Sequence, residues 1–283
     1  MANNKITDGT ASVEKTAARP NTGAKAPVRA EMSKFLYENI NFGAKEAFRR
    51  LRTNVISCFG DDESCHVIGI TSSHPGEGKS LVSTNFAFSI AEIGKKVLLI
   101  DADMFRPSLH TKLGMDPGVG LFELLRNEND LNKAIRTYEA DGHKLKIDVI
   151  FSSVADSDEA SEMMTSKRMS SMISALKKGY DYIVIDFPPV GSVSDVAAVS
   201  RRVDGMLVVV RESHCSQTML RETVSQLEFS GARILGFVMN GSEEGTKGYG
   251  KSYGYGKGYG YGYGYGYGYG YGYGGKNKSK SGN

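Results

Sequence analysis

The run Ser72-Ser73-His74-Pro75-Gly76-Glu77-Gly78-Lys79-Ser80 constrains this chain more than any other feature. It follows an apolar, strand-length segment at 67–71 and opens a helix-patterned segment at 79–93, stopped by Gly94. A glycine-rich turn between strand and helix aims backbone N–H groups at phosphate oxygens, and the helix N-terminus favours anions. Lys79 is then placed to reach β- and γ-phosphates, and the Ser80 hydroxyl to ligate Mg²⁺. The strict pattern has Gly where Ser73 stands, so the run is a variant of it.

Around this run, apolar stretches alternate with helical ones. Residues 43–59 carry Ala47, Leu51, Val55 and Phe59 at helical spacing. A second buried strand at 96–100 ends on Asp101; residues 108–126 read as helical, interrupted by Gly114, Pro117 and Gly120. Next come a strand at 147–151, a helix near 158–178 and a strand at 182–185 ending on Asp186. A helix at 195–202 follows, then strands at 206–210 and 234–239 separated by a helix at 217–229. This alternation predicts an α/β fold of the P-loop NTPase kind, a mostly parallel sheet with helices on both faces. Ligands bind beyond the carboxyl ends of such strands. Residues 72–80, Asp101, Asp103, Asp186 and Asn240 all fall there.

The predicted folded domain spans 34–242. Residues 1–33 hold too few large apolar side chains to offset their ordering entropy and read as a disordered arm. Residues 243–283 read as a disordered Tyr/Gly-rich tail. That tail carries six lysines and no acid from Gly245 onward, so the chain's net charge of +3 hides a remainder at −3. A mildly acidic body carries no nucleic-acid footprint. Cys58, Cys65 and Cys215 have neither metal-ligand nor disulfide-framework spacing, which fits a reducing cytoplasm. No apolar run is long enough to span a bilayer, and the N-terminus has no signal-peptide core, so any membrane role is expected to come through a partner.

Two apolar strands deliver carboxylates to the site without a mobile loop. Val97-Leu98-Leu99-Ile100-Asp101-Ala102-Asp103 brings two, and Ile183-Val184-Ile185-Asp186-Phe187-Pro188-Pro189 a third. Mg²⁺ is usually held by one or two such groups plus water. Asp186 is placed to act through a metal-bound water, and Asp101 or Asp103 to orient or deprotonate an attacking hydroxyl. A lone strand-end Asp fits a helix cap equally well; three beside a phosphate loop do not.

These three motifs together resemble the bacterial tyrosine kinases, in the Gram-positive-type branch that regulates capsular and exopolysaccharide synthesis. The resemblance covers about residues 39–240 and the tail. It implies ATP and Mg²⁺ as cofactors, with Pro75, Gly76, Glu77, Gly78, Lys79, Ser80 and Leu81 holding the nucleotide. It also implies Lys79, Asp101, Asp103 and Asp186 as catalytic residues, and Ser80, Asp101 and Asp186 around the metal. Asn240 resembles the adenine-contacting Asn of the wider superfamily. In the family an Arg stands two residues after the second Asp; here Phe105 takes that place and Arg106 follows. His74 stands where partitioning and cell-division ATPases carry a signature lysine.

Glu46, Arg49 and Arg52 match the family's E-x-x-R-x-x-R oligomerisation element, which implies a ring-like homo-oligomer. By spacing alone they fit an ordinary solvated helix face. The tail holds eleven tyrosines: Tyr249, Tyr253, Tyr255, Tyr259, Tyr261, Tyr263, Tyr265, Tyr267, Tyr269, Tyr271 and Tyr273. By composition they fit a cohesive low-complexity segment; attached to a phosphate loop they read as phosphoacceptors, modified in trans by a neighbouring subunit. The resemblance further implies a membrane-embedded activator of the chain-length type, a cognate tyrosine phosphatase, and a cytoplasmic protein recruited to the inner membrane face. Two other readings stay open: a partitioning-type ATPase, and a nucleotide-gated scaffold whose tail only binds partners.

Overall fold

The computed structural model describes residues 34–60, 62–127, 131–140, 145–192 and 195–241; the expected N-terminal arm and tyrosine tail lie outside them. Helix α1 (Phe42–Ser57) begins where Asn41 Oδ1 accepts the Ala44 N–H at 2.9 Å. Strand β1 (His66–Ser72), helix α2 (Lys79–Ala91) and strand β2 (Val97–Asp101) follow. Short helices α3 (Leu109–Leu113), α4 (Leu121–Asn127) and α5 (Leu131–Ala134) lead into strands β3 (Ile135–Ala140) and β4 (Leu145–Ile150). Next come α6 (Ser157–Thr165), α7 (Lys167–Leu176), β5 (Tyr182–Asp186) and α8 (Asp195–Ser200). Strand β6 (Gly205–Arg211), helix α9 (Gln217–Phe229) and strand β7 (Ile234–Asn240) complete the described chain.

The strands form one sheet in the order β3-β4-β2-β5-β1-β6-β7, parallel except for the β3–β4 pair. Side chains alternate across a strand, so one run of apolar residues supplies two cores. Val67, Leu98, Ile100, Ile183, Ile185 and Val208 pack against α6, α7, α8 and α9. Ile68, Ile70, Leu99, Val184 and Val209 pack on the opposite face, against Phe86 and Ile90 of α2 and Val55 of α1. Helix α2 is buried along nearly its whole length between the sheet and α1, which explains its lack of a polar stripe.

Register aligns the strand ends. Asp101 pairs with Asp186 across β2 and β5, and Ile70 with Asp186 across β1 and β5. The phosphate-loop candidate therefore leaves β1 directly beside both carboxylates.

Two elements depart from the sequence expectation. Strand β3 is an antiparallel edge strand whose sequence, Ile-Arg-Thr-Tyr-Glu-Ala, holds no apolar run because only its β4 side and part of one face are covered. The expected single helix near 158–178 is two. Ser166 ends α6 and caps α7, its Oγ accepting the Met169 N–H at 3.2 Å. The Arg202 guanidinium donates to the carbonyls of Met164, Thr165 and Ser166 and holds the break open.

Candidate active site

Gly76 and Gly78 adopt left-handed backbone conformations, φ 88° and 91°, that only glycine takes without strain. A Cβ at Gly78 would also meet Asn240 Nδ2 at 2.0 Å, so any side chain there would displace the Asn240 amide that braces the loop. Asn240 Nδ2 donates to the Glu77 carbonyl at 2.8 Å. The Glu77 side chain turns inward, fully buried, and Oε2 accepts the Ser73 N–H at 3.0 Å. Ser73 fits where the strict pattern has glycine because its φ is negative and its hydroxyl accepts from Thr223 Oγ1 at 2.9 Å.

Three carboxylates gather at the strand ends around Lys79. Its Nζ donates to Asp103 Oδ2 at 2.8 Å and lies 3.8 Å from Asp186 Oδ1. Burial alone lowers the Lys79 pKa; the Asp186 and Asp103 carboxylates together outweigh it and hold the ammonium above its ordinary value. Asp186 is fully buried and accepts from Ser83 Oγ at 3.1 Å. Burial raises its pKa, with Lys79 and the Ser80 hydroxyl pulling the other way. Asp186 Oδ2 is buried with no hydrogen-bond partner. An orphaned carboxylate oxygen beside a serine hydroxyl fits a divalent cation and its water.

Asp101 and Asp103 are differently placed. Both Asp101 oxygens already accept backbone N–H groups: Oδ1 from Asp103 at 3.1 Å, Oδ2 from Ser108 at 3.2 Å and Leu109 at 3.1 Å. Burial and the Asp186 charge nevertheless push its pKa up to about 7. Of the three carboxylates, only Asp103 lines the open cavity of about 650 Å³. Pro75, Gly76, Gly78, Lys79, Ser80 and Leu81 form the loop wall of that cavity, and Pro188 and Pro189 the facing one. Phe105 is half-buried on its rim and Arg106 exposed.

Glu46, Arg49 and Arg52 lie far from this cavity. They sit on α1 against the opposite end of α2, a separation of about 20 Å along that helix. Arg49 is bonded to Glu46 and Glu92, and Arg52 to Glu92 and the Ser89 carbonyl. The structure also brings in residues with no sequence signal. Ser83 follows the loop by one helical turn, Thr223 arrives from α9, Lys112 from α3 and Ser108 from just before that helix. Only the i, i+4 spacing of Ser108 and Lys112 offered a hint.

Comparison with known proteins bears on this geometry. The model of a family described as an AAA domain matches residues 65–229. Tyrosine-protein kinase YwqD of Bacillus subtilis is 31% identical over 198 residues, which cover 70% of this chain and 81% of that protein. The chain belongs to the bacterial tyrosine kinase family. Among solved structures, the kinase domain of the Escherichia coli tyrosine kinase ETK superposes with a TM-score of 0.65 at 32% identity, covering 77% of this chain and 80% of that one. Other relatives of the kinase family are much longer. EpsB of Ralstonia nicotianae is 33% identical over 211 residues, yet those span 74% of this chain and only 27% of EpsB. Among the described residues no helix is long and apolar enough to cross a membrane.

Proposed function

We propose that this chain is an ATP-dependent protein-tyrosine kinase whose main acceptors are the tyrosines of its own tail, reached in trans within a ring-like homo-oligomer. The observation that carries the reading is the open cavity of about 650 Å³ lined together by the loop, Lys79 and Asp103. The left-handed glycines leave backbone donors free for phosphates, and Lys79 neutralises their charge. Ser80 and, through water, Asp186 would hold Mg²⁺, which would supply further charge neutralisation.

Asp103 orients the tyrosyl hydroxyl and accepts its proton as the new O–P bond forms. The bond from the γ-phosphorus to the β,γ-bridging oxygen breaks, its electron pair stays on that oxygen, and ADP leaves. Asp101, its oxygens engaged by backbone donors, fixes α3 and the turn that carries Asp103. Asn240 braces the loop and marks the side on which adenine would lie.

Tyrosine followed by glycine suits a tail that must present many hydroxyls in turn. Each phosphate adds about −1.5 to −2 charges, so a handful reverses the six lysines and loosens the oligomer. In this reading Glu46, Arg49 and Arg52 lie at the subunit contact. A membrane-embedded activator recruits the chain to the cytoplasmic face, a tyrosine phosphatase resets it, and the output is control of capsular or exopolysaccharide synthesis. Labelled ATP tests the core of the reading. Stable label on the tail, lost when all eleven tyrosines become Phe while nucleotide binding persists, supports the kinase. Release of phosphate without label points to a partitioning-type ATPase, and neither to a scaffold.

A further inference from the structure

Helix α3 brings a second lysine to the cavity. Lys112 lines it together with Lys79, Ser80 and Asp103. Its Nζ donates to Ser108 Oγ at 2.5 Å, and Ser108 Oγ donates in turn to Ser80 Oγ at 3.3 Å. Lys112 is thus one hydroxyl away from the residue that follows Lys79. Lys79 is already engaged by Asp103 and Asp186, whereas no described carboxylate forms an ion pair with Lys112.

Electrostatics separate the two lysines further. Burial is the largest influence on Lys112 and takes its pKa below the ordinary value; Asp186, Asp101 and Asp103 oppose that shift and Lys79 adds to it. An ammonium that is half-desolvated yet lacks a contacting anion gains most when an anion arrives. A triphosphate entering among three carboxylates needs such a cation, since Lys79 is already engaged by two of them. The neighbouring candidates are worse placed. Phe105 is apolar, and Arg106, although it also lines the cavity, is exposed to solvent and so gains less from an arriving anion than half-buried Lys112. Lys112 approaches from the Ser80 side of the loop. Arg211 and His214 contact the carbonyls of Gly76 and Pro75 elsewhere on it.

We propose that Lys112 is a second phosphate-binding cation of this site, contacting the terminal phosphate of a bound nucleoside triphosphate from the α3 side. The assignment rests on the nucleotide-site reading above and extends it to a residue outside the loop motif. It makes Lys112 the discriminator between triphosphate and diphosphate, so that spent nucleotide is held less tightly than fresh.

The test compares binding of fluorescent ADP and of a non-hydrolysable ATP analogue, both with Mg²⁺, to the wild type, Lys112→Gln, Lys112→Met, Lys112→Arg and Arg106→Gln. Affinity of Lys112→Gln and Lys112→Met for the analogue should fall about ten- to hundredfold, with ADP affinity held within about twofold. Lys112→Arg should keep the triphosphate preference, and Arg106→Gln should leave it unchanged. Amine acylation of the unmodified protein gives a second readout that needs no variant. Lys112 should be protected by the analogue and stay reactive with ADP. Equal losses for both nucleotides, no loss for either, or acylation indifferent to the analogue would each overturn the assignment and leave the site reading standing. A wild type that binds neither nucleotide overturns both.

Discussion

Glu92 and Asp186 are both carboxylates facing basic side chains near the two ends of α2, yet their surroundings drive them in opposite directions. Glu92 is partly solvated and rich in donors. It accepts from Arg49 Nε at 2.9 Å, from Arg52 Nη1 at 3.1 Å and from the Tyr37 hydroxyl at 2.9 Å. Arg49 bonding dominates and takes its pKa down to about 2. Asp186 is buried, meets its lysine at 3.8 Å and leaves one oxygen without a partner, so burial wins and its pKa rises. The same pairing of charges gives a satisfied clip between α1 and α2 at one end and an unsatisfied, cation-seeking cluster at the other. Donor count against depth of burial decides which.

The largest expected effect removes the cation from the unsatisfied end. Lys79→Met should cut phosphoryl transfer to the tail at least about a thousandfold in a labelled-ATP assay, because it strips the phosphates of their main counter-charge.

Next in size is Asp186→Asn, which should lower transfer about a hundredfold while raising the melting temperature of the ligand-free protein at pH 8. A buried carboxylate whose folded pKa is raised keeps a proton that the unfolded chain releases. Asp101, pushed to about 7, makes the ligand-free fold less stable as pH rises from about 4 to 7, then level; the contribution of Asp186, raised by burial, has the same sign. Thermal melts of wild type and Asp186→Asn from pH 5 to 8 check this; equal curves at every pH would contradict it.

The satisfied end should show the opposite sign. Glu92→Gln should cost about 2 kcal/mol at pH 7, measured by denaturant unfolding. Because the folded pKa is depressed to about 2, that stability is complete above the ordinary carboxylate value and fades as pH falls toward 2. The gap between Glu92→Gln and wild type should therefore narrow below pH 4.

The smallest effect belongs to a neutral contact. Asn240→Ala removes one hydrogen bond to the Glu77 carbonyl and should cost about 1 kcal/mol, with little pH dependence between 5 and 8. A pH-dependent loss would mean that Asn240 is coupled to the carboxylates rather than to the loop backbone.

By itself the sequence determined the phosphate loop and the layout that serves it. The loop residues are contiguous, so glycine spacing and the following lysine can be read locally. A parallel sheet sends every carboxyl end to one edge, so Asp101, Asp186 and Asn240 could be placed there without knowing strand order. Other features rest on contacts between residues far apart in the chain, and no local pattern encodes them. Edge strand β3 exists because β4 offers it hydrogen bonds, the break at Ser166 because Arg202 reaches it, and the fit of Ser73 because Thr223 arrives from α9. Only tertiary structure separated the three aspartates: Asp103 open to the cavity, Asp101 engaged by backbone donors, Asp186 buried with a spare oxygen. It likewise brought Lys112 into the cavity beside the loop and tied Arg49 and Arg52 to Glu92, since burial and charge at a site are properties of everything packed around it.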